Sequence, residues 1–131
     1  MDAKVLIDTS VWITFFRGKD PAVIERTAVL LKSGRAVYTG IIALELLNGA
    51  KGQKELQILD DTFSAMQVLP VNEMTHIRAG RLGNGIARKG YTLGTVDLLI
   101  AQAAIESGVS LWTYDEHFSV IAEHSTLQLL K

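Results

Sequence analysis

The chain contains no cysteine, no long apolar run and no large excess of charge of one sign. Without cysteine, there can be neither a disulfide framework nor a thiolate metal site. Apolar stretches such as Leu98–Ile105 are too short and too interrupted to span a bilayer. The N-terminal residues lead directly into a strand-like run at Lys4 and do not resemble a signal peptide. Together these absences predict a cytoplasmic protein.

The composition is that of a folded domain. The chain has 131 residues, 48% of them hydrophobic, and a formal net charge of −1. This length suffices for one domain with a sizeable core, and the apolar content excludes a disordered tail. A net charge near zero argues against a strongly basic nucleic-acid-binding protein. We predict a single domain over residues 1–131.

Short strand-like runs alternate with helix-length segments along the whole chain. The predicted strands are residues 4–7, 36–39, 66–71, 109–113 and 126–130. The predicted helices are residues 11–16, 21–32, 40–49, 53–64, 72–89, 95–106 and 115–122, although Gly80, Gly83 and Gly85 weaken the helix at 72–89. Such alternation predicts an α/β fold of three layers, in which helices cover a parallel sheet of about five strands.

Four acidic residues lie inside or at the tip of apolar segments: Asp8 in KVLIDTSVW, Glu45 in GIIALELLNG, Asp97 in TVDLLIAQAAI and Asp115 in SLWTYDEHF. Burying a carboxylate in such surroundings is costly unless its charge is compensated. Asp8 and Asp115 follow predicted strands, and Glu45 lies one turn into the helix after the second strand. Because functional groups gather beyond the C-terminal ends of parallel strands, we expect these acids to share one edge of the sheet. Asp97 joins them if its helix begins at that edge.

A divalent cation is the simplest shared compensator for four clustered carboxylates. Hard cations such as Mg²⁺ and Mn²⁺ are held by carboxylate and water oxygens and require neither histidine nor cysteine. Such an ion polarises a phosphoryl oxygen and lowers the pKa of an attacking water. Without it, the carboxylates repel one another, and some of their pKa values rise. Setting the four acids aside changes the net charge from −1 to +3, which suits a phosphate-rich substrate. The pattern predicts metal-dependent phosphodiester hydrolysis.

Each acid also has a purely structural interpretation. Asp8 and Asp115 are placed to cap the N-termini of the helices that follow them. Asp97 can complement the dipole at the start of its own helix. Glu45 is harder to explain in this way, because Ile41 lies one helical turn away and its face does not resemble a solvated one.

Four segments of the sequence resemble, in this order, the motifs of PIN-domain ribonucleases: LIDTSVWITFFRG, ALELLNGA, GTVDLLIAQAAIESG and LWTYDEHF. The similarity is greatest to VapC-type toxins of toxin–antitoxin modules and covers essentially the whole chain. It implies a Rossmann-like PIN fold, a Mg²⁺ or Mn²⁺ site and endoribonuclease activity that leaves a 5′-phosphate. It also implies a homodimer that a VapB-like antitoxin neutralises, either alone or as part of a higher toxin–antitoxin assembly.

The resemblance also implies roles for individual residues. Asp8 and Asp97 would be the principal metal ligands, and Glu45 and Asp115 would complete the pocket. Three flanking residues can supply hydroxyl groups that hold the acids in place: Thr9, Ser10 and Thr113.

Several basic and aromatic residues are weaker candidates. Arg78, Arg81 and Arg88 lie on one face of a predicted helix, which is either an RNA-backbone contact surface or a solvated face. Arg17 is a candidate contact for RNA or antitoxin. An aromatic patch is either core or part of a partner groove: Trp12, Phe15 and Phe16. The three histidines lack the spacing of metal ligands and are expected not to be catalytic: His76, His117 and His124.

Two alternatives to a toxin stay open at this stage. A housekeeping PIN nuclease in RNA processing would carry the same acids, and a non-catalytic PIN-like binding module would have lost the metal. An unrelated phosphatase of the haloacid-dehalogenase type is excluded, because it needs a second acid where Ser10 stands.

Overall fold

Four short strands form a parallel sheet in the computed structural model, which describes residues 3–131. The strands are β1 (Val5–Ile7), β2 (Ala36–Tyr38), β3 (Gln67–Val68) and β4 (Ser110–Trp112), in the spatial order β3-β2-β1-β4. Across the described residues the helices are α1 (Thr9–Arg17), α2 (Pro21–Lys32), α3 (Gly40–Asn48), α4 (Gln53–Ser64), α5 (Glu73–Ala87), α6 (Thr95–Ser107) and α7 (His117–Glu123). The predicted α/β fold with a parallel sheet is confirmed.

The position of β1 fixes where a site can form. All three β1 residues are at most 1% exposed, and the strand lies between β2 and β4. The chain continues from β1 towards β2 and β3 on one side and later returns to β4 on the other. In open parallel sheets, a crevice opens outside the C-terminal ends of the strands at such a change of direction. Because Ile7 pairs with Trp112, the residues that follow β1 and β4 leave the sheet at the same level.

Most predicted boundaries agree with the structure to within two residues, and the exceptions lie in the edge strands. The predicted strand at 66–71 is reduced to Gln67–Val68, because Pro70 follows closely and cannot donate to a ladder. The predicted strand at 126–130 makes a single parallel bridge, between Leu111 and Leu129. It lies beside β4 and covers backbone groups that an edge strand would otherwise expose.

Helix α6 has more buried residues than any other helix in the described part of the chain. Six of its residues are buried, and it contacts α3, α5, α7 and β4. Its axis is therefore held from several sides, which fixes the position of its first turn. None of the helices in the described part of the chain is both long enough and apolar enough to cross a membrane.

Helix α5 forms despite its three glycines, and one of them has a packing role. Asn72 and Thr75 form a capping box: Thr75 N donates to Asn72 Oδ1 (3.0 Å), and Asn72 N donates to Thr75 Oγ1 (3.2 Å). At Gly83, an added Cβ would collide with Leu98 Cδ1 of α6. The glycine thus allows α5 and α6 to approach closely, which explains its presence at a helix-weakening position.

A polar cluster joins α5 to the C-terminal half of α6. The Glu106 carboxylate accepts hydrogen bonds from the buried Thr75 hydroxyl (2.8 Å), from Gln102 Nε2 (3.0 Å) and from Arg78 (3.1 Å). Burial on its own favours the protonated acid, but these donors outweigh it and hold the pKa of Glu106 below its usual value. Arg78, a predicted RNA contact, is therefore ion-paired within the fold.

Replacement of Glu106 by alanine removes the acceptor that these donors share. We expect the free energy of unfolding at pH 7 to fall by about 1–3 kcal/mol, because the buried Thr75 hydroxyl loses its best acceptor. Chemical denaturation measures this, with Glu25→Ala on the exposed face of α2 as the control.

The effect should also depend on pH in a defined direction. The pKa of Glu106 is lower in the folded chain than in the unfolded chain. The stability that the ionised carboxylate contributes is therefore complete above the unfolded-state pKa, and it is lost as pH falls through the folded-state pKa. The difference in the free energy of unfolding between wild type and Glu106→Ala should therefore become smaller under acidic conditions. Equal stability of the two proteins at pH 7 would contradict the structural role of this cluster.

Candidate metal-binding and catalytic site

Asp8 stands at the centre of the sheet edge, directly after β1, and is 5% exposed. Its backbone N–H donates to Trp112 O (2.9 Å), which fixes it to the end of β4. Its Oδ2 accepts hydrogen bonds from Ser10 Oγ and Thr113 Oγ1, both at 2.8 Å. These hydroxyls offset the desolvation of the carboxylate. Because these bonds go to Oδ2, they leave Oδ1 for another ligand.

The same hydroxyls tie the loop after β4 to the start of α1. Thr113 Oγ1 accepts from Asp115 N (3.0 Å), and Ser10 Oγ accepts from Tyr114 N (3.1 Å). The orientation of Asp8 and the path of the backbone at Asp115 are thus set by one small network. The structure places two of the three predicted supporting hydroxyls in this network.

Glu45 differs from its predicted environment. The expectation of an unsolvated face is wrong, because α3 buries only Ile42 and Leu46 and leaves both Glu45 and Leu44 exposed. The third predicted hydroxyl is here: Thr9 Oγ1 donates to Glu45 Oε1 (2.8 Å). Glu45 is therefore an accessible carboxylate, oriented by the residue that follows Asp8.

Asp97, Asp115 and His117 form a compact group. Each offers one ligand atom, and these atoms lie within 4.8 Å of one another. His117 Nδ1 is 3.2 Å from Asp115 Oδ1 and 3.6 Å from Asp97 Oδ2. Asp97 comes from the first turn of α6, and Asp115 from the loop between β4 and α7. The loop after β4 thus brings Asp115 to the start of α6. Asp8 is also close enough for its carboxylate to raise the pKa of Asp97, and its role as a principal ligand beside Asp97 stays a prediction.

The pKa of Asp97 shows that the four predicted acids share one electrostatic environment. Burial raises it, the carboxylates of Asp115 and Asp8 raise it further, and Glu45 adds a smaller effect in the same direction. His117 opposes these effects without cancelling them. Negative charge at this edge therefore exceeds what the neighbouring protein groups offset.

The structural interpretations of Asp8 and Asp97 hold together with the clustering, whereas that of Asp115 is shifted, because the N-cap of α7 is Glu116. Asp8 caps α1, with Ser10 N at 3.4 Å from Oδ2, and Asp115 Oδ1 accepts from His117 N at 2.9 Å. Asp97 lies in the first turn of α6, where the helix dipole favours a negative charge. Capping fixes the orientation of a carboxylate, so the two roles are compatible.

The donor set fits a divalent cation. Carboxylate oxygens predominate, which suits Mg²⁺ and Mn²⁺, and a single imidazole nitrogen stands beside them. The raised pKa of Asp97 indicates an excess of negative charge that a cation would neutralise.

His117 is the residue that the sequence analysis missed. It follows Asp115 by two positions, and the first turn of α7 returns its ring over the acid-bearing loop. The spacing alone does not indicate a ligand, because the other acids are distant in sequence. The remaining histidines behave as expected for packing roles, since Nδ1 of His76 and of His124 contacts the carbonyl oxygen four residues earlier in the chain.

A groove of about 540 Å³ opens beside Glu45, between α1, α3 and α4. Thr9 and Glu45 line one end, and Arg17 also lines it. The predicted aromatic patch divides here: Trp12 is buried, whereas Phe16 is 39% exposed and lines the groove. Arg81 on α5 and Arg88 directly after it are exposed, and their contact with RNA stays a prediction.

The parallel sheet with acids gathered at its C-terminal edge defines an α/β domain with an acidic site. The family model described as PIN domain matches residues 5–124. The chain belongs to the PIN-domain family.

Relatives and solved structures agree with this family. The chain is 32% identical over 128 residues to ribonuclease VapC11 of Mycobacterium tuberculosis. The aligned region covers 95% of this chain and 96% of that relative. Its fold is similar to VapBC-1 of nontypeable Haemophilus influenzae (TM-score 0.79, 24% identity, 97% of this chain and 96% of that one). It is also similar to the fold of the DNA-bound VapBC of Salmonella typhimurium, with a TM-score of 0.79 and 23% identity over 98% of this chain and 97% of that one.

Replacement of Asp97 by asparagine should stabilise the metal-free protein at pH 7. The helix dipole favours the Asp97 charge by about 0.3–1 kcal/mol. The upward shift of its pKa nevertheless shows that burial and the neighbouring carboxylates outweigh all favourable effects. We expect a higher melting temperature for Asp97→Asn in the presence of a chelator.

The dependence on pH provides the control for this stabilisation. A carboxyl whose pKa is raised on folding destabilises the native state above that pKa, and this penalty disappears as pH falls towards the unfolded-state pKa. The difference in melting temperature between Asp97→Asn and wild type should therefore disappear near pH 4. Asp60→Asn, at an exposed position of α4, should melt at the wild-type temperature both at pH 7 and near pH 4. A lower melting temperature for Asp97→Asn at pH 7 would contradict the clustering of charge.

Proposed function

We propose that this chain is an RNA-cleaving hydrolase that uses Mg²⁺ or Mn²⁺ and acts as the toxin of a VapBC-like toxin–antitoxin module. The observation that carries the proposal is the placement of four acids from separate elements at one sheet edge. Ligand atoms of Asp97 and Asp115 lie within 4.8 Å of each other, Asp8 is hydrogen-bonded to the end of β4, and Glu45 accepts from Thr9, the residue after Asp8. The similarity to ribonuclease VapC11, over 95% of the chain, supports RNA as the substrate.

The residues divide between holding the cation and handling the attacking water. Asp97 and Asp115 would hold the ion with the free Oδ1 of Asp8, whose Oδ2 is occupied by hydroxyls. A divalent cation held there would neutralise charge on the phosphodiester and lower the pKa of an attacking water. Glu45 is accessible and is held by Thr9, so it can accept a proton from that water and direct it at phosphorus. Attack of the water on phosphorus with cleavage of the bond to the 3′ oxygen leaves a 5′-phosphate and a 3′-hydroxyl.

The groove beside Glu45 offers a path for a nucleic-acid strand. Arg17 and Lys51 line it together with Glu45, and both basic residues are exposed. A phosphate backbone that lies along these cations would approach the acids from the open side of the site. Binding should then weaken as salt concentration rises, as expected when counterions are released.

We also propose that the same groove binds the antitoxin. Its wall contains Ile13, Phe16 and Ile58, which are 41%, 39% and 43% exposed, an unusual concentration of apolar surface beside a charged site. An amphipathic helix can place its apolar face in such a groove and cover the approach to Glu45. The homodimer stays a prediction, which light scattering of the purified chain tests.

A housekeeping PIN nuclease is the second candidate. The acids and the groove are compatible with either role. A short neighbouring open reading frame that encodes a DNA-binding protein with an amphipathic segment would favour the toxin.

The catalytic proposal is tested by RNA cleavage with purified Asp97→Asn. We expect cleavage in Mg²⁺ or Mn²⁺ to fall by about 10²-fold or more, because a displaced ligand weakens both cation binding and charge stabilisation. Sequencing of RNA ends should give 5′-phosphates for wild type and none above background for the variant. Asp60→Asn is the matched control, and wild-type rates in Asp97→Asn would refute the assignment.

The antitoxin proposal is tested with Phe16→Glu, which places a charge in the apolar wall. We expect inhibition by the neighbouring gene product to weaken by about tenfold or more, since a buried unpaired charge costs several kcal/mol at an interface. Inhibition is measured relative to the variant's own uninhibited rate, because the added carboxylate also faces the proposed path of the RNA. Val29→Glu, at an exposed apolar position on α2, is the control. Unchanged inhibition of Phe16→Glu would exclude the groove as the docking surface.

A further inference from the structure

His117 differs from the other histidines of the chain in what its ring faces. Nδ1 of His76 lies 2.8 Å from Asn72 O, and Nδ1 of His124 lies 2.9 Å from Val120 O, an ordinary contact within a helical turn. Nδ1 of His117 instead lies near two carboxylate oxygens, Asp115 Oδ1 and Asp97 Oδ2. The ring therefore directs a nitrogen lone pair or proton into the acid cluster.

The backbone of His117 is held firmly enough to act as a platform for this ring. Its N–H donates to Asp115 Oδ1 (2.9 Å), and the next residue, Phe118, is completely buried in the core. Ile121, one turn later in α7, is also completely buried. The ring itself is 67% exposed, so it can turn about its side-chain bonds without disturbing the core.

The distances match those between neighbouring ligands of one metal ion. Bonds of about 2.1 Å place adjacent ligand atoms roughly 3.0 Å apart in an octahedron and roughly 3.4 Å apart in a tetrahedron. The separations of 3.2 Å and 3.6 Å from Nδ1 to the two carboxylates are close to these values. A cation between the three atoms would require only small movements of the exposed ring.

We propose that His117 is a ligand, through Nδ1, of the cation held by Asp97 and Asp115, and that this nitrogen gives the site a preference for Mn²⁺ over Mg²⁺. The inference rests on the proposed function, because it concerns the same cation. Mg²⁺ is bound almost entirely through oxygen, whereas imidazole suits later transition ions, and affinity for nitrogen-containing sites rises from Mn²⁺ towards Co²⁺.

An ion pair alone is a weaker explanation of this geometry. Asp115 Oδ1 already accepts a hydrogen bond from the His117 backbone, so the ring is not needed to satisfy that oxygen. Exposed ion pairs contribute little to stability, and a ring that is two-thirds exposed gains little from one. Ligation accounts for the approach of one nitrogen to both acids.

The test compares cation binding by wild type, His117→Ala and His76→Ala. Isothermal titration calorimetry gives the dissociation constants for Mn²⁺ and for Mg²⁺ without any activity measurement. We expect His117→Ala to weaken Mn²⁺ binding by about tenfold or more and Mg²⁺ binding by no more than about twofold. His76→Ala should leave both constants unchanged, because its ring contacts its own helix.

Proton NMR with Co²⁺ tests ligation directly. A histidine ligated through Nδ1 gives a strongly shifted, exchangeable Nε2–H resonance, which should appear in wild type and His76→Ala and be missing in His117→Ala. If wild type binds Co²⁺ without this resonance, or if His117→Ala binds Mn²⁺ as wild type does, the ligand assignment fails while the proposed nuclease stands. If wild type binds none of the three cations, both proposals fail.

Discussion

Mutual repulsion among carboxylates at the C-terminal edge of the sheet is the constraint on which this structure depends. Asp97 is influenced by Asp115, Asp8 and Glu45 at once, and the sum of burial and repulsion raises its pKa. A fold selected only for stability would separate these charges. The scaffold therefore holds the Asp97 carboxylate in an unfavourable environment, which a divalent cation would make favourable.

The scaffold achieves this through rigid parts on either side of the crevice. The completely buried β1 delivers Asp8, and its register with β4 places Thr113 and the following loop at the same level. Helix α6, with six buried residues, fixes Asp97. Hydroxyl groups then orient the acids: two donate to Asp8, and Thr9 donates to Glu45. Capping, packing and charge clustering therefore act on the same few residues.

Much of this arrangement could be predicted from the sequence, because strand patterns and the rule for parallel sheets locate the edge. The alternation of strands and helices gave the fold, and three acids follow strands. The environment of Glu45 could not be predicted, since apolar neighbours in sequence do not show which face of α3 is covered. His117 was missed because its role arises from the turn of α7 over the loop. The hydrogen bond from Arg78 to Glu106 could not be predicted either, because the two residues are 28 positions apart in the sequence.

Diffraction from crystals grown with Mn²⁺, measured at the manganese absorption edge, tests the central claim most directly. An anomalous peak should lie within coordination distance of carboxylate oxygens of both Asp97 and Asp115, and the number of peaks would give the number of ions held by the four acids. A cation bound elsewhere on the surface, with no peak at this edge under saturating Mn²⁺, would contradict the account.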